Sequence, residues 1–176
     1  MSSYTNDAQK GKHQMMIELF MRGARQDIPV RPTMPNLAVR KLRARLMLEE
    51  CLETINAGLG LSVDLHDGRL GMNDLKIEAV QFSEANGGDL IQVADGCADV
   101  EVVTVGTASA CGIAHAPCFE LVSGNNLMKF APGHSFREDG KLIKPSNHPN
   151  IESELCAELI RQGMPPNLPR GMTLRR

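Results

Sequence analysis

Apolar residues recur at helical spacing over three long stretches of the chain and switch to strict alternation over one short one. From His13 to Arg25, Met16, Ile17, Leu19, Phe20 and Met21 supply an apolar face, with Gly23 near the end, which predicts a first helix. Pro29, Pro32 and Pro35 follow at three-residue spacing, which forbids a helix and favours an extended connector. Asn36 is a candidate N-cap for a second helix, Leu37 to Ala57, in which Leu42, Leu46, Leu52 and Ile55 recur until Gly58 and Gly60 stop it. Over residues 61–82 the period changes. Leu61, Val63 and Leu65 alternate with polar residues, Asp67-Gly68 has hairpin-turn chemistry, and Ile77, Ala79 and Val80 resume afterwards, so a small β-hairpin or lobe is expected.

Asn86-Gly87-Gly88 breaks the chain and Asp89 is placed to cap a third helix, Leu90 to Cys111, with Val93, Cys97, Val100 and Val103 or Thr104 facing inward. Gly106, Ala108, Ser109 and Ala110 are small enough to let another helix approach closely. Pro117 to Lys129 predicts a fourth helix, and Pro132, Gly133, Gly140, Pro145 and Pro149 mark a long connector. Ile151 to Gln162 predicts a short fifth helix. The pattern contains no repeat of solenoid length. The expected fold is all-α: a bundle of four to five helices with a small β-hairpin insert, a flexible leader at 1–11, one domain at 12–162 and an extended tail at 163–176.

Composition narrows the function. With no Trp, one Tyr (Tyr4) and five Phe in 176 residues, the core must be built from Leu, Ile, Val, Met and Ala, which favours helices. A net charge of −2 without a run of Lys and Arg argues against a nucleic-acid polymer as partner. Cys51, Cys97, Cys111, Cys118 and Cys156 form no CxxC pair and no zinc spacing, as expected of reduced thiols in a cytoplasmic protein. Met1 to Gly11 is polar, and no apolar run approaches the roughly 20 residues of a membrane span, so no membrane partner is expected.

Two groups of acids carry the candidate chemistry. Glu49, Glu50 and Glu53 fall on the second helix, and Asp95 and Asp99 on the third. Taken singly, each reads as ordinary solvated surface. Together they place carboxylates three and four residues apart, on one face of each helix, and Asp is a poor interior helix residue. Clustered carboxylates raise one another's pKa unless a cation neutralises them. No His follows Glu50, Glu53, Asp95 or Asp99 at three residues, which argues against a di-iron bundle, and all-oxygen ligation favours Mg²⁺, with Mn²⁺ able to substitute. GxxxxGK[ST] and GxGxxG are both absent, so nucleotide binding would run through the metal. Asn126, Lys129 and Lys144 are candidates for an anionic substrate end, and equally a solvated basic patch. His66, His115, His134 and His148 share no ligand spacing.

Several blocks occur in a recognisable order. Gln26 with Pro29, Pro32 and Pro35, then Leu42-Arg43-Ala44-Arg45-Leu46-Met47-Leu48-Glu49-Glu50-Cys51-Leu52-Glu53, resemble the opening of the MazG-like all-α nucleoside triphosphate pyrophosphohydrolases, a superfamily that includes dimeric dUTPases and phosphoribosyl-ATP pyrophosphohydrolase. Ala94-Asp95-Gly96-Cys97-Ala98-Asp99, with Val105-Gly106-Thr107-Ala108 and Gly112-Ile113, is similar to the second acidic helix of that family. Asn126-Leu127-Met128-Lys129-Phe130 resembles its Asn-x-x-Lys element, and Asp139-Gly140-Lys141-Leu142-Ile143-Lys144-Pro145 its closing turn. The hairpin at 61–82 is similar to the insert of the phage-type and dimeric-dUTPase-like branches. One position departs: many relatives carry Glu-x-x-Asp on the second acidic helix, whereas here Gly96 stands three residues before Asp99 and Asp95 stands at four, which leaves the ligand count open.

The resemblance implies a helical core assembled as a homodimer or a dimer of dimers. In that family Mg²⁺ held by both acidic helices binds a (d)NTP, and water attacks the α-phosphorus to give (d)NMP and pyrophosphate. Carried over by position, Glu50, Glu53 and Asp99 become metal ligands with Asp95 a fourth. Glu49 becomes a ligand or the group that orients water, and Asn126 and Lys129 become phosphate contacts. The expectation leans weakly to dGTP or GTP, with dUTP or damaged nucleotides as the alternative. A non-catalytic helical oligomerisation or regulatory module is the rival from another class.

Overall fold

The computed structural model describes residues 9–65, 80–130, 132–138 and 140–166. The predicted leader up to residue 8, the Asp67-Gly68 turn, Ile77, Ala79 and the tail from residue 167 lie outside the described residues. Five α-helices carry most of the described chain: α1 (Lys12–Gly23), α2 (Leu37–Glu53), α3 (Leu90–Ala110), α4 (His115–Leu127) and α5 (Glu152–Arg161). A π-helical turn, Thr54–Gly58, extends α2, and a 3-10 turn, Met128–Phe130, extends α4. Two antiparallel strand pairs complete the fold, β1 (Leu61–Leu65) with β2 (Val80–Glu84), and β3 (Ser135–Phe136) with β4 (Leu142–Ile143). By its contacts the chain divides into two compact units, Pro35–Thr107 on one side and Met1–Met34 with Ala108–Arg176 on the other.

In the unit Pro35–Thr107, both long helices start where their caps lie. The Asn36 side chain accepts from Val39 N at 3.0 Å, and Asp89 Oδ1 accepts from Ile91 N at 2.8 Å, each satisfying a donor the helix start leaves open. The hairpin between the helices pairs Leu61 with Glu84 and Leu65 with Val80. Residues 66–79, between the paired strands, lie outside the described residues. After β2 the chain returns to the end of α2, where Ala85 N donates to Gly60 O at 2.7 Å and Asp89 N to Gly58 O at 2.8 Å.

The other unit is organised around polar groups. On α1 the buried stripe is Gln14, Ile17, Glu18 and Met21, at the i, i+3, i+4, i+7 spacing of one helix face. This corrects the predicted face: Ile17 and Met21 are buried, but Met16, Leu19 and Phe20 are each more than 60% exposed. The reason lies in the partners. Gln14 Nε2 donates to Ser109 Oγ at 3.0 Å and Ile113 O at 2.8 Å, while Gln14 Oε1 accepts from His115 N at 2.9 Å. Ser109 Oγ donates to Glu18 Oε1 at 3.1 Å, and Lys10 Nζ pairs with Glu18 Oε2 at 2.8 Å.

A second glutamine clasps the same α3–α4 turn. Gln162 Oε1 accepts from Ala114 N at 2.8 Å, and its Nε2 donates to Ala114 O at 3.0 Å and to Glu158 Oε1 at 2.7 Å. Thr33 N donates to Cys111 O at 2.8 Å and ties the proline connector to that turn. Ser109 and Ala110 are buried, so the small residues at the end of α3 serve close packing as expected. All five cysteines are free thiols, and among the described residues no single helix is long and apolar enough to cross a membrane.

Removing the Gln14 carboxamide leaves the Ile113 carbonyl, the His115 amide and the Ser109 hydroxyl short of partners in a buried place. Gln14→Leu is therefore expected to lower the unfolding free energy by about 2–4 kcal/mol, read as a lower urea midpoint with an unchanged slope. An unchanged midpoint would mean that the clasp contributes nothing.

Candidate functional site

Thr54 is where α2 stops being a regular helix. Its hydroxyl donates back to Glu50 O at 2.7 Å, and its own carbonyl accepts from Leu59 N at 3.0 Å, the i→i+5 bond of a π turn. Such single-turn bulges re-aim the side chains that follow them. The predicted second helix to Ala57 is thus regular only to Glu53.

Across from this turn lies α3, and Gly96 sets how near it comes. A Cβ on Gly96 would overlap Thr54 Oγ1 and stand 3.0 Å from Thr54 Cβ and 3.1 Å from Thr54 Cα, the last being backbone that cannot yield. One turn earlier on α3, Val93 packs on Gly58, where an added Cβ would meet Val93 atoms at 3.1 Å. Glycine at both contacts lets the two helices approach closely, and that approach brings the acids face to face. The glycine at position 96 therefore meets a packing requirement.

Glu50, Glu53, Asp95 and Asp99 line one cleft of about 370 Å³ together with Thr54, Gly96 and Gln92. Of the five acids singled out from sequence, Glu49 alone is not part of the lining. It is felt there nonetheless. The Glu50 carboxyl is pushed above its ordinary value by loss of solvent, then by the charges of Asp99, Glu53, Glu49 and Asp95 in that order. Cys97, expected to face inward, is exposed, because Asp95, Gly96 and Asp99 occupy the side of α3 that meets the π turn.

Gln92, Asn56 and Thr54 were not singled out in the sequence, yet they line the cleft. The signal for Gln92 was present. Gln92, Asp95, Gly96 and Asp99 repeat at i, i+3, i+4, i+7, and Glu50, Glu53, Thr54 and Ala57 repeat the same spacing on the facing element. Asn126, Lys129 and Lys144 belong to the other unit. There Lys129 Nζ donates to Asn126 Oδ1 at 2.6 Å, one helical turn apart, and Lys144 is exposed beyond β4.

The donor set of the cleft is oxygen only, and its charges repel one another, which suits a hard divalent cation. Among the described residues no three His, Cys, Asp or Glu side chains stand close enough together to clasp an ion. Ligation by this set therefore requires the carboxylates to swing inward from the positions they hold. No family model and no curated protein matches this chain.

Two outcomes follow from the geometry. Gly96→Ala gains helix propensity of about 1 kcal/mol, but forcing a methyl group into a packed contact costs about 1–3 kcal/mol, so a net loss of thermal stability is expected. Thr54→Ala in the same chain removes the worst overlap and should restore part of the loss in a double-mutant cycle.

Glu50 gives a pH signature. Because its pKa is higher folded than unfolded, the folded chain holds this proton more readily between the ordinary value of 4.5 and the raised one. The stability it contributes falls as pH rises through that window, and the penalty persists at neutral pH. Glu50→Gln should raise the melting temperature at pH 7 and leave it nearly unchanged at about pH 3.5, where the Glu50 carboxyl is largely protonated in the folded and the unfolded chain alike. Equal melting temperatures at both pH values would contradict the electrostatic account.

Proposed function

We propose that the chain is a Mg²⁺-dependent nucleoside triphosphate pyrophosphohydrolase of the MazG-like type, hydrolysing a (d)NTP at the α-phosphorus to (d)NMP and pyrophosphate. The observation that carries this reading is the convergence of Glu50, Glu53, Asp95 and Asp99 from two helices on one cleft, with the Glu50 carboxyl destabilised as an anion by loss of solvent and then by its neighbours' charges. Carboxylates gathered on one cleft hold their charges more easily beside a bound cation. Glu50, Glu53 and Asp99 would hold Mg²⁺, with Asp95 as the fourth ligand. When bound, the ion neutralises the triphosphate and polarises its phosphoryl oxygens.

The chain's own residues do the remainder. Glu49, next to the ligands and outside the cleft lining, orients the attacking water. The reading leans to dGTP or GTP, with dUTP or a damaged nucleotide as the alternative.

The working form is a homodimer or a dimer of dimers. All five phenylalanines are between 49% and 69% exposed, and α2 buries only Arg43 while Leu37, Leu48 and Leu52 stay open to solvent. Side chains of this kind are normally the most buried in a folded protein, and apolar surface on this scale calls for a covering partner.

Incubation with each (d)NTP and Mg²⁺ or Mn²⁺ should release pyrophosphate, and Glu53→Gln should abolish release while the helical circular dichroism is retained. No release from any triphosphate, with no rise in melting temperature on adding metal and nucleotide, would instead favour a non-catalytic helical module.

A further inference from the structure

The connector after α4 carries a second constellation that the acidic cleft does not use. Phe130 closes the 3-10 turn, His134 precedes β3 and Phe136 lies in it. The Phe130 and His134 rings meet edge to face with centroids 6.0 Å apart, and His134 and Phe136 do the same at 5.7 Å. Both phenyl rings remain nearly 60% exposed, at 58% and 59%. Edge-to-face contact fixes rings without covering all of their faces. Two phenylalanines held in this way, in one short stretch, form a platform on which a flat aromatic ligand can stack.

Beside the platform is a cavity of about 430 Å³, lined by Leu127, Met128, Phe130, Pro145 and Pro149 together with His148. That volume is in the range of small-molecule sites, and such walls are typical of them. The far wall is tied to α4: Asn125 Nδ2 donates to Pro149 O at 3.1 Å, and Asn125 Oδ1 lies 2.9 Å from His148 Nε2. Local charge points to the ligand class. Residues 126–144 hold Lys129, Arg137, Lys141 and Lys144 against Glu138 and Asp139, four cations to two acids, in a chain whose net charge is −2. Aromatic faces interleaved with cations suit a base carrying a phosphate.

We propose that the cavity beside Phe130 and the Phe130–His134–Phe136 platform bind a purine nucleoside monophosphate, the base stacking on the phenyl rings and the phosphate meeting Lys129. The choice of ligand rests on the pyrophosphohydrolase reading, but binding here needs neither the acidic cleft nor a metal. A purine is favoured because it offers the larger stacking face.

The test is titration of the full chain with GMP in the presence of EDTA, by calorimetry and saturation-transfer NMR. GMP should bind, and Phe130→Ala and Phe136→Ala should each weaken it about five- to hundredfold, the loss attributable to one stacked base, while Phe136→Tyr keeps it. Ribose 5-phosphate should bind far more weakly than GMP. Undiminished GMP binding in both alanine variants, no GMP binding without metal, or equal binding of ribose 5-phosphate would each overturn the proposal. So would an oligonucleotide that binds much more tightly than GMP, since the ligand would then be a polymer. Ring-dependent GMP binding by a chain that releases no pyrophosphate would remove the enzyme reading and leave this one. Pyrophosphate release without ring-dependent GMP binding would do the reverse.

Discussion

Two helices bring carboxylates to a common cleft only if their backbones approach closely, and here that approach runs through the contact of Gly96 with Thr54. The glycine sacrifices helix propensity of about 1 kcal/mol relative to alanine, and the facing helix gives up its regular hydrogen bonding in a π turn. Both departures from ideal geometry coincide with the acids they bring together. Local rules broken together at one place are the kind of departure that functional sites carry.

The rest of the unit around α1, α4 and α5 is held in a different way. Its centre is a set of satisfied polar groups, with Gln14 and Gln162 each clasping the backbone of the α3–α4 turn. Hydrogen-bonded carboxamides specify geometry more strictly than apolar contacts do, because each donor and acceptor must be met. Meanwhile Leu19, Phe20 and every other phenylalanine face outward. Buried polar side chains stand here beside buried Ile17 and Met21, while the exposed phenylalanines are the surface that the proposed oligomer and nucleotide site would use.

Much of the local structure was legible beforehand. Asn36 and Asp89 cap the helices that follow them because an N-cap acts on amides only two or three residues away. The proline spacing excluded a helix before Asn36 for an equally local reason. The acidic face on each helix was also legible, since spacing of three and four residues fixes direction once a helix is granted. The reading failed where a distant partner decides. Hydrophobic residue types pointed to Met16, Leu19 and Phe20 as the inner face of α1, but Ser109, Ile113 and His115 select Gln14 and Glu18 instead.

The sequence by itself determined where helices begin, where glycine and proline interrupt them, and that Glu50, Glu53, Asp95 and Asp99 share faces. Tertiary structure alone decided that those two faces meet, that Gly96 yields its position to Thr54, and that Gln92 joins the cleft while Glu49 stays outside it. It also decided that the ring of His134 meets those of Phe130 and Phe136 edge to face. The physical reason is range. Caps, propensities and periodicity act within a few residues along the chain, whereas a close approach of two backbones depends on side-chain volume at a crossing point, and nothing in either local segment records which segment it will cross.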